Sequence, residues 1–351
     1  MLDVVVVGGG AMGSAAAWQL AARGAEVVLV ERFGPGHVFG ASHGASRIFR
    51  LVYDDPLYVR FALEASALWR ELGDVLTETG GIDHGAFGAL PEVLAAAGSP
   101  GRLLSAGEAG ERWPGFRFDG PVFFHPQSGR IHADRAVTAL QGAAEHHGAV
   151  VRHRTRVVEV RPLGNSVEVV TEGGVLRARR AVVAVGAWTR KLLGDLIPLT
   201  VTEEQPAHFA PLADREWPSF IHHRTGTVYG LATPGEGVKV GLHGGGPVVD
   251  PDRRSFQPEP TRLAALRRYV RDWLPGLDAD AVEPIHCTYT STPTGDFVLD
   301  RRGPLVVAAG FSGHGFKFTP AVGRVLADLV LTDAAPEPRW VIPVPRKRPT
   351  V

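Results

Sequence analysis

Sulfur and lysine are scarce in this chain. Its 351 residues include one cysteine, Cys287, and two methionines. A lone thiol excludes an internal disulfide and a cysteine-rich metal site. Lysine occurs only at Lys191, Lys239, Lys317 and Lys347, so arginine carries nearly all the positive charge. Long apolar runs are missing too: none approaches the ~18 residues that a membrane-spanning helix needs. Net charge is also missing, since 37 Lys+Arg balance 37 Asp+Glu. Such a chain has no field to attract nucleic acid or an anionic membrane. The basic run at 345–350 is a local exception and reads as a solvated terminus. The N-terminus enters an apolar strand pattern with no basic segment ahead of it and no small-residue cleavage site behind it. We therefore expect a cytoplasmic protein, monomeric or homodimeric, with neither nucleic acid nor membrane as partner. No metal-ligating cluster stands out. With 44% hydrophobic and 21% charged residues the composition is globular, and the length predicts about two domains.

What is present starts at once. "DVVVVGG" is an apolar, β-branched run of the kind found in buried parallel strands. "AMGSAAAWQLAARG" predicts a helix closed by Gly24, and "EVVLVER" a second buried strand. Helices are predicted over 56–76, 132–148, 259–275 and 319–331, the last with Thr319 as N-cap and Pro320 in its first turn. "AVVRHRTRVVEVRP" and "SVEVVTEGG" read as a strand pair, and 179–188 as a buried strand ending on Gly186. Residues 80–129 are turn-rich and mixed, and strands follow from about 198 to 250.

The glycines of "GGGAMG" stand as Gly8-x-Gly10-x-x-Gly13 between the first strand and the first helix. Gly8 allows a tight turn, Gly10 lets a pyrophosphate approach the backbone, and Gly13 lets the helix pack on the strand. The helix N-terminus offers free N–H groups to phosphate. Glu31, at the end of the second strand, is placed to bind ribose hydroxyls and disfavours a 2′-phosphate. FAD and NAD both satisfy this much. Two features select FAD: the mid-chain strand that ends in "VGAW", and the terminal strand–"GFSGHG"–helix, whose N-terminus would stabilise a reduced flavin. We therefore expect an α/β protein. A discontinuous Rossmann-type FAD-binding domain comprises 1–80, 130–196 and 286–351, and a mixed β-sheet substrate domain comprises 81–129 and 197–285.

"SHGASRIFR" (42–50), "RWPGF" (112–116), "HPQSG" (125–129), "VGAW" (185–188), "VKVGLH" (238–243), "CTYT" (287–290) and "GFSGHGFKF" (310–318) together resemble the FAD-dependent amine oxidases of the monomeric sarcosine oxidase type. These belong to the wider D-amino-acid oxidase and glycine oxidase group. The likeness runs nearly end to end. The chain departs from it by being shorter between about 84 and 110, and by reading "EEQPAHF" at 203–209.

The resemblance implies the following roles. Cys287 is bonded through sulfur to the 8α carbon of the flavin. Arg50 and Lys317 hold the substrate carboxylate, one as a planar fork and the other as a compact charge. Arg47 lies beside the flavin ring, and His43 is structural or flavin-contacting. His243 is the active-site histidine, with Tyr229 and Tyr289 lining the pocket. Lys239 serves dioxygen by stabilising developing negative charge; four residues from His243, it falls on the same strand face. Cofactor contact extends to Arg32, Ser42, Val157, Gly186, Trp188, Gly313, His314, Gly315 and Lys317. The implied reaction oxidises a carboxylate-bearing secondary amine to an imine and reduces dioxygen to hydrogen peroxide. A flavin dehydrogenase or biosynthetic tailoring oxidase of a different amine is an alternative, as is a non-catalytic FAD-binding subunit. The remaining histidines, including His146–His147 and His222–His223, read as surface or structural.

Overall fold

The valine run folds as the strand Leu2–Val7, whose last four residues are fully buried. In the computed structural model, which describes residues 1–343, this strand lies at the centre of an eight-stranded sheet. Lys347 and the basic run at 345–350 lie outside the described residues. Leu2–Val7 pairs in parallel with Val27–Val30 on one side and Gly174–Val183 on the other. Val150–Arg152 adds beyond Val27–Val30, and Leu305–Ala309 beyond the inner end of Gly174–Val183. Five parallel strands thus come from the start, middle and end of the chain. The sheet forks at Gly174–Val183, because its outer half pairs instead with the antiparallel strand Ser166–Thr171.

Parallel sheets need cover on both faces. Helices Ala11–Ala21, Ala133–His146 and Thr319–Leu331 supply one cover, through a core containing Leu20, Leu140 and Leu326. Val167 and Val169 cover the other face over Val5, Val7, Val28 and Val30. The helix Ala11–Ala21 crosses the strand turn closely enough that a Cβ on Gly13 would sit 1.9 Å from the Gly8 carbonyl. Gly8 itself has φ +103 and lies against Ala184 O. Both positions therefore require glycine.

A second eight-stranded sheet is mixed. Its order is Leu277–Pro284, Ala207–Pro211, Gly237–Leu242, Val228–Thr233, Ser219–His223, Gly81–Gly85, Val122–His125 and Arg102–Leu104. The helix Pro260–Trp273 packs on it through Leu266, Tyr269 and Val270. Two smaller sheets bring functional segments together. Arg47–Phe49 pairs with Gly129–Ile131, and Thr200–Glu204 pairs with Cys287–Ser291.

Several local expectations are corrected. "AVVRHRTRVVEVRP" is two strands rather than one: Val150–Arg152 stays in the parallel sheet, the chain turns at Arg154 with φ +52, and Val157–Leu163 starts a separate hairpin. The buried strand before Gly186 stops at Val183, and Gly186 opens a short 3-10 turn at φ +51. Thr319 is the first residue of its helix and not its cap. Phe318 holds the cap position, and the Thr319 hydroxyl donates back to Phe316 O at 2.7 Å. The turn Phe316–Phe318 already winds the chain before the helix begins. The segment 80–129 contains the helices Leu90–Ala96 and Ala106–Arg112, the second closed by a capping box between Ser105 and Glu108.

Candidate active site

At the carboxyl ends of the parallel strands lies a cavity of about 420 Å³. Gly8, Gly10, Glu31 and Arg32 line it from the first βαβ unit. Ser42, His43 and Arg47 line it from the loop that follows, and Val157, Gly186 and Trp188 from the middle of the chain. Cys287, Tyr289, Gly313 and Gly315 close its far end.

The lining fits a dinucleotide. The helix Ala11–Ala21 has no side-chain cap at Gly10, so its positive end is open to phosphate, with Ser42 Oγ accepting from Ala11 N at 3.0 Å. Glu31 is buried at the cavity wall, and its carboxylate is fixed by Gly9 N at 2.6 Å and Phe33 N at 2.8 Å. His43 Nε2 is buried without any partner. Burial and the Arg47 charge push the pKa of His43 down to about 3, so the ring is neutral. Arg32 is tied to Asp252, which also accepts from Trp188 Nε1 and Lys191 Nζ at 2.7 Å each.

Three expected cofactor residues do not line the cavity. Gly13 acts one layer back, in the helix–strand contact. His314 turns away: its Nε2 meets Gly295 O at 3.1 Å, and its ring packs on Phe297 and Tyr58. Burial, then Lys317, hold its pKa near 3. Lys317 points past the cavity wall into the second group of residues.

That second group adjoins the cavity through Arg47 and Tyr289. Arg47 Nη1 and Lys239 Nζ both donate to Ser46 O, at 2.8 and 2.9 Å. One backbone carbonyl therefore holds two cations together. Arg47 Nη2 also lies 3.8 Å from Cys287 Sγ. Burial, then Arg47, lower the pKa of Lys239 to about 7. Tyr289 OH lies 3.5 Å from His243 Nδ1. Burial, then Lys317 and Arg50, hold His243 below its ordinary pKa and so neutral. Burial raises the Tyr229 and Tyr289 phenols far above theirs. Gly313, at φ +79, leaves room for the Tyr289 ring, which a Cβ there would meet at 2.2 Å.

Arg50 and Lys317 come together as expected, each 5.5 Å from the Tyr53 ring centroid. Lys317 is 6% exposed and donates to Tyr53 OH at 2.9 Å and His314 O at 2.7 Å. Burial, then Arg50, depress its pKa well below the usual lysine value. Arg50 is not a free fork. Its Nη2 donates to Asp83 Oδ1 at 2.8 Å, and the same oxygen accepts from His223 Nε2 at 2.6 Å.

Asp83, His223, Tyr53 and Ser46 were not among the expected site residues. The available signal was a carboxylate inside a buried strand, "GIDHG". Of the two alternatives for His222 and His223, the structural one holds: His222 is buried against Tyr269 OH at 3.0 Å, and His223 is held by Asp83. His146 and His147 are exposed, as read.

The buried neutral histidines carry a consequence for stability. Burial pushes His84 to about 3 and both His208 and His222 to about 4. Unfolded, each takes up a proton near 6.5. Stability is therefore complete above pH 6.5 and lost as the pH falls below it, by about 1.4 kcal/mol per pH unit for each such group. The urea midpoint should fall between pH 7 and pH 5, and His84→Phe should flatten that fall. An unchanged midpoint over this range would refute the account.

A flavin fold, a phosphate-accepting helix end and an adjoining cationic pocket define a class, the FAD-dependent oxidoreductases. The chain belongs to the DAO family of FAD-dependent oxidoreductases, whose model matches residues 3–329. It is 35% identical to a monomeric sarcosine oxidase of Bacillus sp. (strain NS-129), over 94% of this chain and 93% of that one. Among solved structures, the open form of NikD, described as an unusual amino acid oxidase essential for nikkomycin biosynthesis, is similar with TM-score 0.85. Its identity is 29%, and 97% of both chains is covered. The L-proline dehydrogenase of P. horikoshii is similar with TM-score 0.83 and 25% identity, over 94% of this chain and 93% of that one. Among the described residues no helix is long and apolar enough to cross a membrane.

Proposed function

We propose that this FAD-dependent amine oxidase acts on a secondary amine bearing one carboxylate, such as sarcosine or another N-methyl or cyclic amino acid. Dioxygen is the final acceptor, and the products are an imine and hydrogen peroxide. The observation that carries the reading is two cations, buried Lys317 and half-buried Arg50, set beside a neutral histidine–tyrosine pair at the end of the cofactor cavity. A relative named sarcosine oxidase supports it. In this reading the cofactor belongs to 1–80, 130–196 and the C-terminal part from 286, and the substrate to 81–129 and 197–285. The setting is cytoplasmic.

Bound FAD supplies a two-electron acceptor. Arg50 and Lys317 hold the carboxylate and so fix the carbon next to nitrogen against the cofactor. The amine reacts unprotonated, because only a free lone pair assists loss of hydride from that carbon. With His243 neutral and its Nδ1–H donating to Tyr289 OH, Nε2 can accept a hydrogen bond from the amine N–H. Tyr229 and Tyr289 stay protonated and donate. Water then hydrolyses the released imine, giving formaldehyde when the oxidised group is methyl. Two electrons and two protons convert dioxygen to hydrogen peroxide beside Lys239. Cys287 Sγ, at the cavity wall, carries the covalent link.

Anaerobic mixing with a panel of N-methyl and cyclic amino acids should bleach the flavin absorbance, and air should restore it with release of peroxide. No bleaching with any carboxylate-bearing secondary amine would overturn the reading. Bleaching that only an artificial acceptor reverses would make the protein a dehydrogenase. Cys287→Ser should release its yellow colour to the supernatant on acid precipitation, while the parent keeps it in the pellet. Colour released from the parent would refute the linkage.

A further inference from the structure

The carboxylate pocket holds a charge that the amine chemistry does not use. Asp83 lies on the strand Gly81–Gly85 and is 4% exposed. Its Oδ1 accepts from Arg50 Nη2 at 2.8 Å and from His223 Nε2 at 2.6 Å. His223 reaches it from the neighbouring parallel strand Ser219–His223. The ion pair occupies one prong of the guanidinium and leaves Arg50 Nε buried without a partner. Lys317 has no acidic side chain within ion-pair distance among the described residues and donates only to Tyr53 OH and His314 O.

The charge count follows. With Lys317 protonated, as a bound carboxylate favours against the effects of burial and Arg50, Arg50 and Lys317 bring two positive charges to the clamp and Asp83 brings one negative charge. One uncompensated positive charge is left, which a single carboxylate neutralises. A second carboxylate beside the first would face Asp83 with neither clamp cation left to meet it, the adjoining Arg47 and Lys239 being held at Ser46 O, and a like charge in a dry site is strongly disfavoured.

We propose that Asp83 is a specificity-determining and positioning residue. It cancels one cation and fixes Arg50, so that the pocket accepts monocarboxylate amines and rejects dicarboxylate ones. His223 holds the Asp83 carboxylate in that position. This rests on the reading of Arg50 and Lys317 as the carboxylate clamp.

The test uses the FAD-loaded protein and two inert anions, acetate and malonate, with binding read from the visible absorbance of the flavin. It therefore needs no turnover and can fail independently of the proposed reaction. The parent should bind acetate at least as tightly as malonate. Asp83→Asn should shift the ratio of the two dissociation constants toward malonate by about tenfold or more. Asp83→Glu keeps the charge and should leave the ratio within about twofold of the parent. With turnover, Asp83→Asn should move the KM ratio of iminodiacetate to sarcosine in the same direction. A ratio unchanged in Asp83→Asn would overturn the proposal, as would an effect confined to kcat. If that variant does not fold, a parent that binds malonate ten times more tightly than acetate overturns it alone.

Discussion

Lys239→Met should slow reoxidation of the reduced protein by dioxygen about 10²–10³-fold, while anaerobic reduction by substrate changes little. Lys239 is 5% exposed, and its ammonium has one close partner, the Ser46 carbonyl at 2.9 Å. No acidic side chain among the described residues forms an ion pair with it. An unneutralised cation in a dry site stabilises negative charge developing beside it far more than a solvated one does. Because burial, then Arg47, bring its pKa to about 7, the cationic form is complete below that pH. Reoxidation of the parent should therefore slow as the pH rises through about 7, and the methionine variant should lose this dependence. Stopped-flow mixing of reduced protein with oxygenated buffer measures both effects. An unchanged rate in Lys239→Met would remove the residue from the oxygen reaction.

The second large effect falls on substrate binding. Lys317→Met should raise the KM for sarcosine by about 10- to 100-fold, the size of one lost charge-assisted hydrogen bond, with FAD content unchanged. The two effects separate because Lys317 does not line the cofactor cavity. Its ammonium sits 5.5 Å from the Tyr53 ring centroid, as far as the Arg50 guanidinium does. Arg50→Met should act in the same direction, but it also strands Asp83, which then keeps only His223. Removing one partner of a buried pair leaves an uncompensated charge, so thermal stability should fall more in Arg50→Met than in Lys317→Met. Equal loss of FAD and of carboxylate binding in Lys317→Met would count against the assignment.

A compact cation has a physical reason to occur at both positions. Arginine would need partners for five N–H donors spread over a plane. Lys239 has one backbone carbonyl as its close partner, and Lys317 has one hydroxyl and one carbonyl.

The sequence by itself determined what depends on neighbours along the chain. Gly8-x-Gly10-x-x-Gly13, the valine strand before it and Glu31 after it all lie within one βαβ unit, where backbone sterics and strand periodicity leave little choice. The roles expected of Arg47, Arg50, Lys239 and His243 came instead from the family resemblance of the segments that hold them. Within "GFSGHGFKF", Gly313 clears the Tyr289 ring. The direction of His314 within that run was not legible, because aromatic neighbours from distant segments, Tyr58 and Phe297, take its ring away from the cavity.

Only the tertiary structure decided which charges meet. Asp83 reaches Arg50 across 33 residues and His223 across 140, and Lys239 reaches Ser46 across 193. A buried charge is tolerated where a partner satisfies it, and packed sheets rather than local pattern choose that partner. The strand alternation of "GIDHG" places Asp83 and His84 on opposite faces. It does not say that one face carries Arg50 and the other stacks His84 on His222 at 4.0 Å. The chemistry was therefore written locally, while the charge balance of the pocket was set by the folded sheet.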